Sequence, residues 1–504
     1  MRVREWSQLS RTGDLNELSD KDLESVGGLI TSTTDNCLGG ECPSIDGCPL
    51  YRAREKAVHA DIVIVNHHLL MADLAMKEES ISSLLPSADV VIVDEAHQIS
   101  SVARHFFGET VTSGQLMELS RDVKRELQLL GNDNPELRRS AMGYEDSVNG
   151  LSRVFSMNAA IDLEELLTMV EIQDAIDEMD LSFSTLAELL EASAIRSKVL
   201  QQCYQRCLRL MDRFAVLTEQ VEADSVYAHW IERQEKSFTL RLSPVVIADS
   251  LSPFFQEPNK SWIFTSATLS VAEKFDHARS ALGLEDDPEY RFESPFDFSE
   301  QVRGLIPHGI PVPGSNDHTT ALMAFCLPIL KANQGRSFIL FTSYKALHAA
   351  RAIIAETGGI NYLVQGAMSR QKLLDKFKII PRCVLLATQG FWEGIDVKGT
   401  DLRCVVIDKL PFTNPSDPLH VAQMRLAAAK GENGFSSVSI PDAAISLKQG
   451  FGRLIRQESD KGLFVLGDNR VLTKSYGGKF LKSLPDMPWL GSQQEAITYM
   501  ESLD

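Results

Sequence analysis

Long apolar runs are missing from this chain of 504 residues. A membrane-spanning helix needs about 20 consecutive apolar residues. No stretch approaches that length, so no membrane partner is expected. The opening residues, Met1-Arg2-Val3-Arg4-Glu5-Trp6-Ser7-Gln8, lack the apolar core of a secretory signal, and a cytoplasmic location is the expectation. Cysteine is scarce: 8 residues are too few for a disulfide scaffold. Positive charge is also short, with 50 Lys and Arg against 69 Asp and Glu and a net charge of −19. That balance counts mildly against passive, charge-driven coating of nucleic acid. It does not exclude a large protein with one locally basic or neutral channel. Finally, the phosphate-cradling pattern G-x-x-x-x-G-K-[ST] occurs nowhere, and the only Gly-Lys step, Gly478-Lys479, runs into Phe480.

What is present is an ordinary globular composition, 44% apolar and 24% charged, in a chain too long for one core. Two to four domains are expected. Residues 1–57 are polar and Gly-rich, and they hold three of the cysteines within twelve residues. Two β-branched runs follow, Asp61-Ile62-Val63-Ile64-Val65-Asn66 and Asp89-Val90-Val91-Ile92-Val93-Asp94. Continuous apolar runs of this length predict strands buried on both faces of a parallel α/β sheet. Over 112–240 the pattern turns helical and acidic, with Leu163, Leu166, Leu167 and Val170 at helical spacing. Strand signals return at 261–265, 337–341, 383–387, 404–408 and 462–466, separated by helical stretches. The expected organisation is a cysteine region at 1–57 and one α/β domain made of 58–111 and 241–289. A helical insertion covers 112–240, and a second α/β domain covers 290–504. The stretch Glu293-Ser294-Pro295-Phe296 is the expected linker.

Four motifs carry chemistry. Asp94-Glu95-Ala96-His97 closes an apolar run, where one carboxylate can hold a phosphate-bound Mg²⁺ and the next acid can activate water. A solvated acidic turn is the plainer alternative. Thr265-Ser266-Ala267-Thr268-Leu269 also follows an apolar run; its hydroxyls can relay hydrogen bonds or simply cap a helix. Gln449-Gly450-Phe451-Gly452-Arg453-Leu454-Ile455-Arg456 places two arginines three apart, hence on one face if helical. Paired guanidiniums stabilise charge on a transferring γ-phosphate, although exposed arginine pairs are common and often idle. Gly390-Phe391-Trp392-Glu393-Gly394-Ile395-Asp396 follows a buried run as a ligand-facing loop would. Cys37, Cys42 and Cys48 can ligate a metal. Zinc or three free thiols are the plainer readings, although their x4 and x5 spacings fit common zinc knuckles poorly. Cys203 and Cys207 read as core thiols on a helix, and Cys326, Cys383 and Cys404 as core thiols in or beside strands.

In chain order, the motifs at 94–97, 265–269, 390–396 and 449–456 resemble motifs II, III, V and VI of superfamily 2 helicases. The cysteine group followed by Asn66-His67-His68-Leu69 and Asp94-Glu95-Ala96-His97 resembles the DinG/YoaA branch of XPD-like helicases over essentially the whole chain. The resemblance implies two RecA-like motor domains, the first incomplete, with an iron–sulfur insertion and a helical arch at 112–240. It implies an ATP-dependent 5′–3′ DNA helicase of repair or replication maintenance, acting on single-stranded or forked DNA, with ATP and possible replication or repair proteins as partners. Asp94 would bind Mg²⁺ and Glu95 would be the base. Arg453 and Arg456 would be arginine fingers, with Gln449 and His97 at the nucleotide, and Glu393, Gly394 and Asp396 at the interface loop. Cys37, Cys42 and Cys48 would hold a [4Fe–4S] cluster, whose fourth cysteine is not found ahead of Cys37. The missing phosphate loop and fourth cysteine predict a chain that begins partway through the first motor domain and turns over little ATP by itself. A catalytically inactive DNA- or protein-binding fragment is the alternative reading.

Overall fold

The computed structural model describes residues 2–10, 12–18, 22–23, 30–32, 37, 39–78, 83–157, 163–219, 226–234, 237–271, 273–284, 287–391 and 401–503. The chain forms two compact units. One contains 1–93 and 98–263, the other 94–97 and 264–504.

In the first unit, strand β1 (Val90–Val93) pairs with β5 (Ser261–Phe264) in a two-stranded sheet. The expectation of strands buried on both faces fails here. The run at 61–66 forms no strand, and Ile62 and Ile64 are 82% and 92% exposed. A parallel strand becomes buried when neighbours flank both its edges and helices cover both faces. Among the described residues β1 has one strand neighbour, so Val90 and Ile92 stay exposed while Val93 is buried.

The helical insertion does form. Helices Ser113–Leu129, Pro135–Met157, Val170–Ser193 and Lys198–Thr218 share one apolar core built on Leu119, Tyr144, Phe183, Cys207 and Phe214. Thr112 starts the first of them with a capping box, its hydroxyl accepting from the Gln115 N–H while Gln115 reaches back. The buried Arg206 guanidinium is matched by Asp122 at 2.9 Å and Glu118 at 3.4 Å, as a buried charge requires. Of the four residues read as one helical face, Leu163, Leu166 and Leu167 are buried. Val170 instead opens the next helix and is exposed. The helical reading also runs too far. Residues Tyr227–Gln234 (β3) and Ser237–Pro244 (β4) form a hairpin, and β4 pairs antiparallel with β2 (Glu109–Thr112).

Among the described residues, the second unit is built on a sheet of seven strands. They are β6 (Val302–Leu305), β7 (Ser337–Phe341), β8 (Asn361–Val364), β9 (Cys383–Thr388), β10 (Cys404–Ile407), β11 (Gly462–Leu466) and β12 (Trp489–Leu490). The sheet order is β12-β6-β11-β10-β7-β9-β8, and every pairing is parallel. Side chains alternate between two apolar layers. Phe338, Leu340, Val405 and Ile407 point into one, and Ile339, Phe341, Cys404 and Val406 into the other. This is the doubly covered α/β sheet that continuous apolar runs predict. Strands β6, β8 and β12 escaped the sequence reading because Val-Arg-Gly-Leu, Asn-Tyr-Leu-Val and Trp-Leu are short or broken by polar residues. Cys383 and Cys404 are buried strand thiols. Cys203 and Cys207 are buried on the Lys198–Thr218 helix, and Cys326 sits inside the His318–Ala332 helix.

Candidate active site

Asp94, Glu95 and His97 leave the end of β1, and Thr265, Ser266 and Thr268 leave the end of β5. The paired strands bring these two segments together. The Ala96 N–H donates to the Thr265 carbonyl at 2.9 Å. The Thr265 hydroxyl donates to Asp94 Oδ1 at 3.0 Å and so orients an exposed carboxylate. Glu95 is in the left-handed region, at φ +49°. A non-glycine residue there is strained, and such strain clusters where a side chain must be aimed. Its carboxylate accepts from the Ser266 hydroxyl at 3.1 Å and remains half exposed.

His97 is the hub. Gln449, in the last turn of helix Ile440–Phe451, donates its amide N–H to His97 Nε2. With Nε2 accepting, the ring proton sits on Nδ1. Nδ1 lies 2.8 Å from the Ser266 hydroxyl, 3.0 Å from Thr268 and 3.4 Å from Glu95. A continuous hydrogen-bonded chain thus runs Gln449–His97–Ser266–Glu95. The plain capping role weighed for the Thr265–Thr268 hydroxyls does not apply, since no helix begins at that turn.

The arginine pair needs a correction. Helix Ile440–Phe451 stops before it, with Gly452 as its C-cap, so Arg453 and Arg456 do not share a helical face. They flank Leu454 and Ile455, which are 2% and 4% exposed. Those two apolar anchors are driven inward, and both half-buried arginines are presented from a non-helical turn. Gly462 permits the tight fit, because a Cβ there would meet Leu454 Cδ1 at 2.6 Å. Glu393, Gly394 and Asp396 lie outside the described residues.

Gly478-Lys479 falls inside the Gly477–Ser483 helix, not in a phosphate-cradling loop. A single exposed carboxylate with an orienting hydroxyl suits Mg²⁺, which takes one or two protein carboxylates and completes its shell with phosphates and water. The cysteines are less well matched to a cluster. Cys37 is exposed and Cys42 and Cys48 are half-buried. Among the described residues no three His, Cys, Asp or Glu side chains are gathered to hold a metal. Cys48 caps the Pro49–Val58 helix, whose Arg52 guanidinium donates to the Gly47 carbonyl at 2.9 Å. A [4Fe–4S] cube takes four thiolates, so the described residues do not fit a complete cluster site.

Two sequence families match the chain, DEAD_2 over residues 31–116 and the helicase C-terminal domain over 326–487. The ATP-dependent DNA helicase YoaA of Escherichia coli is 36% identical over 99% of this chain and 78% of its own length. The chain belongs to the YoaA/DinG family of ATP-dependent DNA helicases. YoaA of Haemophilus influenzae is 34% identical over the same shares. The 3′-5′ exonuclease DinG of Bacillus subtilis is 30% identical over 95% of this chain and 57% of its own length. Among solved structures, an XPD helicase aligns at TM-score 0.56 and 16% identity over 93% of this chain and 78% of the other, a likeness of fold.

Missing from the sequence reading were Gln301, whose amide nitrogen lies 3.0 Å from the Asp460 carbonyl, and Asp460, whose Oδ2 accepts from the Arg456 N–H at 2.9 Å. A lone Gln after a Pro-containing linker and an Asp before a strand carry no pattern of their own.

Proposed function

We propose that the chain carries the water-activating and γ-phosphate-sensing part of a 5′–3′ DNA helicase that works on single-stranded or forked DNA in repair or replication. The observation that carries this reading is the Gln449–His97–Ser266–Glu95 chain. It joins the arginine-bearing motif to the acid that would activate water. Asp94 would hold Mg²⁺, which lends positive charge to the phosphates when bound. Glu95 accepts the proton of the attacking water, and the Ser266 hydroxyl holds its carboxylate in place. Arg453 and Arg456 offset charge on the transferring phosphate. A change at Gln449 alters the acceptor load on His97 and hence the hydroxyl that orients Glu95. Glu393, Gly394 and Asp396 would complete the nucleotide site. Strand contacts would come from backbone electrostatics and stacking, which read no sequence.

By its likeness to DNA helicases we propose a cytoplasmic location, with replication or repair proteins as candidate partners. Among the described residues no helix is long and apolar enough to cross a membrane.

The test is DNA-stimulated ATP hydrolysis. The 504-residue chain should turn over little ATP, because it contains no G-x-x-x-x-G-K-[ST] loop. A form carrying such a loop ahead of it should hydrolyse ATP in the presence of single-stranded DNA. Strong DNA-dependent turnover by the 504-residue chain would refute the role given to the loop. The inactive-fragment reading would gain if the loop-bearing form stayed silent.

Cys37, Cys42 and Cys48 are proposed as three of four [4Fe–4S] ligands on the strength of their closeness in sequence and of the family resemblance. Anaerobic purification should yield less than one cluster per chain, and Cys42→Ser should remove the iron. Stoichiometric zinc without acid-labile sulfide would overturn that assignment.

A further inference from the structure

We infer that Gln301 and Asp460 are positioning residues for the arginine turn, and that the segment leading out of the linker sets where Arg456 points. The inference rests on the reading of Arg453 and Arg456 as γ-phosphate partners. Gln301 is 5% exposed, and its amide nitrogen lies 3.1, 3.1 and 3.0 Å from the carbonyls of Gln457, Glu458 and Asp460. Two amide hydrogens serve three carbonyls, so the fit closes the loop from one side. Asp460, 6% exposed, closes it from the other. Its Oδ2 accepts from the backbone N–H of Arg456 and of Gln457, both at 2.9 Å. The carboxylate thus binds the backbone of the arginine itself.

Both residues sit just ahead of neighbouring parallel strands, since Val302 of β6 pairs with Gly462 of β11. That register places Gln301 beside the loop that precedes β11. Gln301 also ends the helical turn Phe298–Gln301, and Phe298 packs on Phe451, the last helical residue before Gly452. Phe296 touches Phe298 in turn. The segment 296–301 therefore grips the arginine turn at both ends, through Phe451 before it and through the 457–460 carbonyls after it. A surface loop would leave those carbonyls to water. Burying them against one glutamine gives the turn a single backbone path, and a displacement of this segment moves both ends of the turn together.

Gln301→Met keeps the size and removes the donors, and Asp460→Leu removes the acceptor. Asp460→Asn keeps an amide oxygen for the two N–H groups and serves as the rescue. Hydrogen exchange on the full chain reads the clamp directly. The amides of Arg456 and Gln457 should exchange at least about tenfold faster in Gln301→Met and Asp460→Leu, and near the parent rate in Asp460→Asn, with protection of β7 and β10 retained. Turnover in the loop-bearing form reads the consequence. Loss of geometry should lower kcat about 10–10²-fold with KM for ATP within about twofold, because a misplaced group loses transition-state contact first. Unchanged exchange at Arg456, or loosened exchange with unchanged kcat, overturns the inference. So does equal loss of kcat in Asp460→Asn and Asp460→Leu. The arginine reading is tested separately. Arg456→Ala should cost about 10³-fold or more in kcat, as arginine fingers do in the best cases. If it does not, the reading of the arginines fails whatever the clamp variants show.

Discussion

Two strands of this protein end in nearly the same sequence and meet opposite fates. Val90-Val91-Ile92-Val93-Asp94 and Cys404-Val405-Val406-Ile407-Asp408 are both β-branched runs closed by an aspartate. The first belongs to a two-stranded sheet, alternates between exposed and covered positions, and ends in an exposed carboxylate. The second lies at the centre of seven parallel strands, is buried at every position, and ends in a carboxylate that is 1% exposed. The Asp408 carboxylate accepts from the N–H of Thr342 at 3.1 Å and of Lys409 at 2.8 Å, so it ties strand ends together. Burial outweighs those bonds and pushes its pKa up to about 7. Asp94 faces solvent with a hydroxyl to aim it and can meet a ligand. Local sequence makes a strand-end aspartate, and the neighbours decide whether it is presented to solvent or holds the sheet.

The largest effect that would sharpen this contrast concerns turnover. In the loop-bearing form, Asp94→Asn and Glu95→Gln should each lower DNA-stimulated kcat by about 10²–10⁴-fold, as loss of a metal ligand or general base does. Asp408→Asn should leave kcat within a few fold. Equal losses at Asp94 and Asp408 would erase the distinction.

Next in size is packing. Ile407→Ala removes a fully buried side chain and should cost about 2–5 kcal/mol in chemical denaturation of the second unit. Ile92→Ala removes one that is 66% exposed and should cost about 0.5 kcal/mol or less. If Ile92→Ala proves as costly as Ile407→Ala, β1 is covered in solution and the contrast of environments collapses.

The smallest effect is the pH dependence of stability. Asp408 titrates near 7 when folded and near its ordinary 3.8 when unfolded, so the folded state holds the extra proton between those values. Its contribution is fully present below about pH 4, declines as pH rises towards 7, and is lost above. Asp408→Asn keeps the acceptor and cannot ionise. The stability difference, variant minus parent, should therefore grow from pH 4 to pH 7 and level off above it. A difference that is flat with pH, or shrinks, contradicts a buried neutral Asp408.

Much of this was legible from the chain. The motifs at 94–97, 265–269 and 449–456 are contiguous in sequence, and local spacing is enough to mark them. The runs at 337–341, 383–387, 404–408 and 462–466 also revealed the parallel sheet, because strands buried on both faces need no alternation. The helical expectation over 112–240 overlaps most of the hairpin at 227–244. Its Phe238 and Leu240 alternate as strand residues do, but the preceding helical periodicity hides where the helices stop.

What the sequence determined by itself was identity at short range: which residues bear carboxylates, hydroxyls, guanidiniums and thiols, and which runs are apolar enough to become strands. Tertiary structure alone decided three further things. It ended the helix before Arg453 and buried Leu454 and Ile455, so both arginines leave from a turn. It set His97 between Gln449 and Ser266, residues 352 and 169 positions away. It gave Asp94 and Asp408 different surroundings. The physical reason is common to all three. Burial, pKa and hydrogen-bond partners depend on atoms that arrive from distant parts of the chain, and no window of sequence contains them.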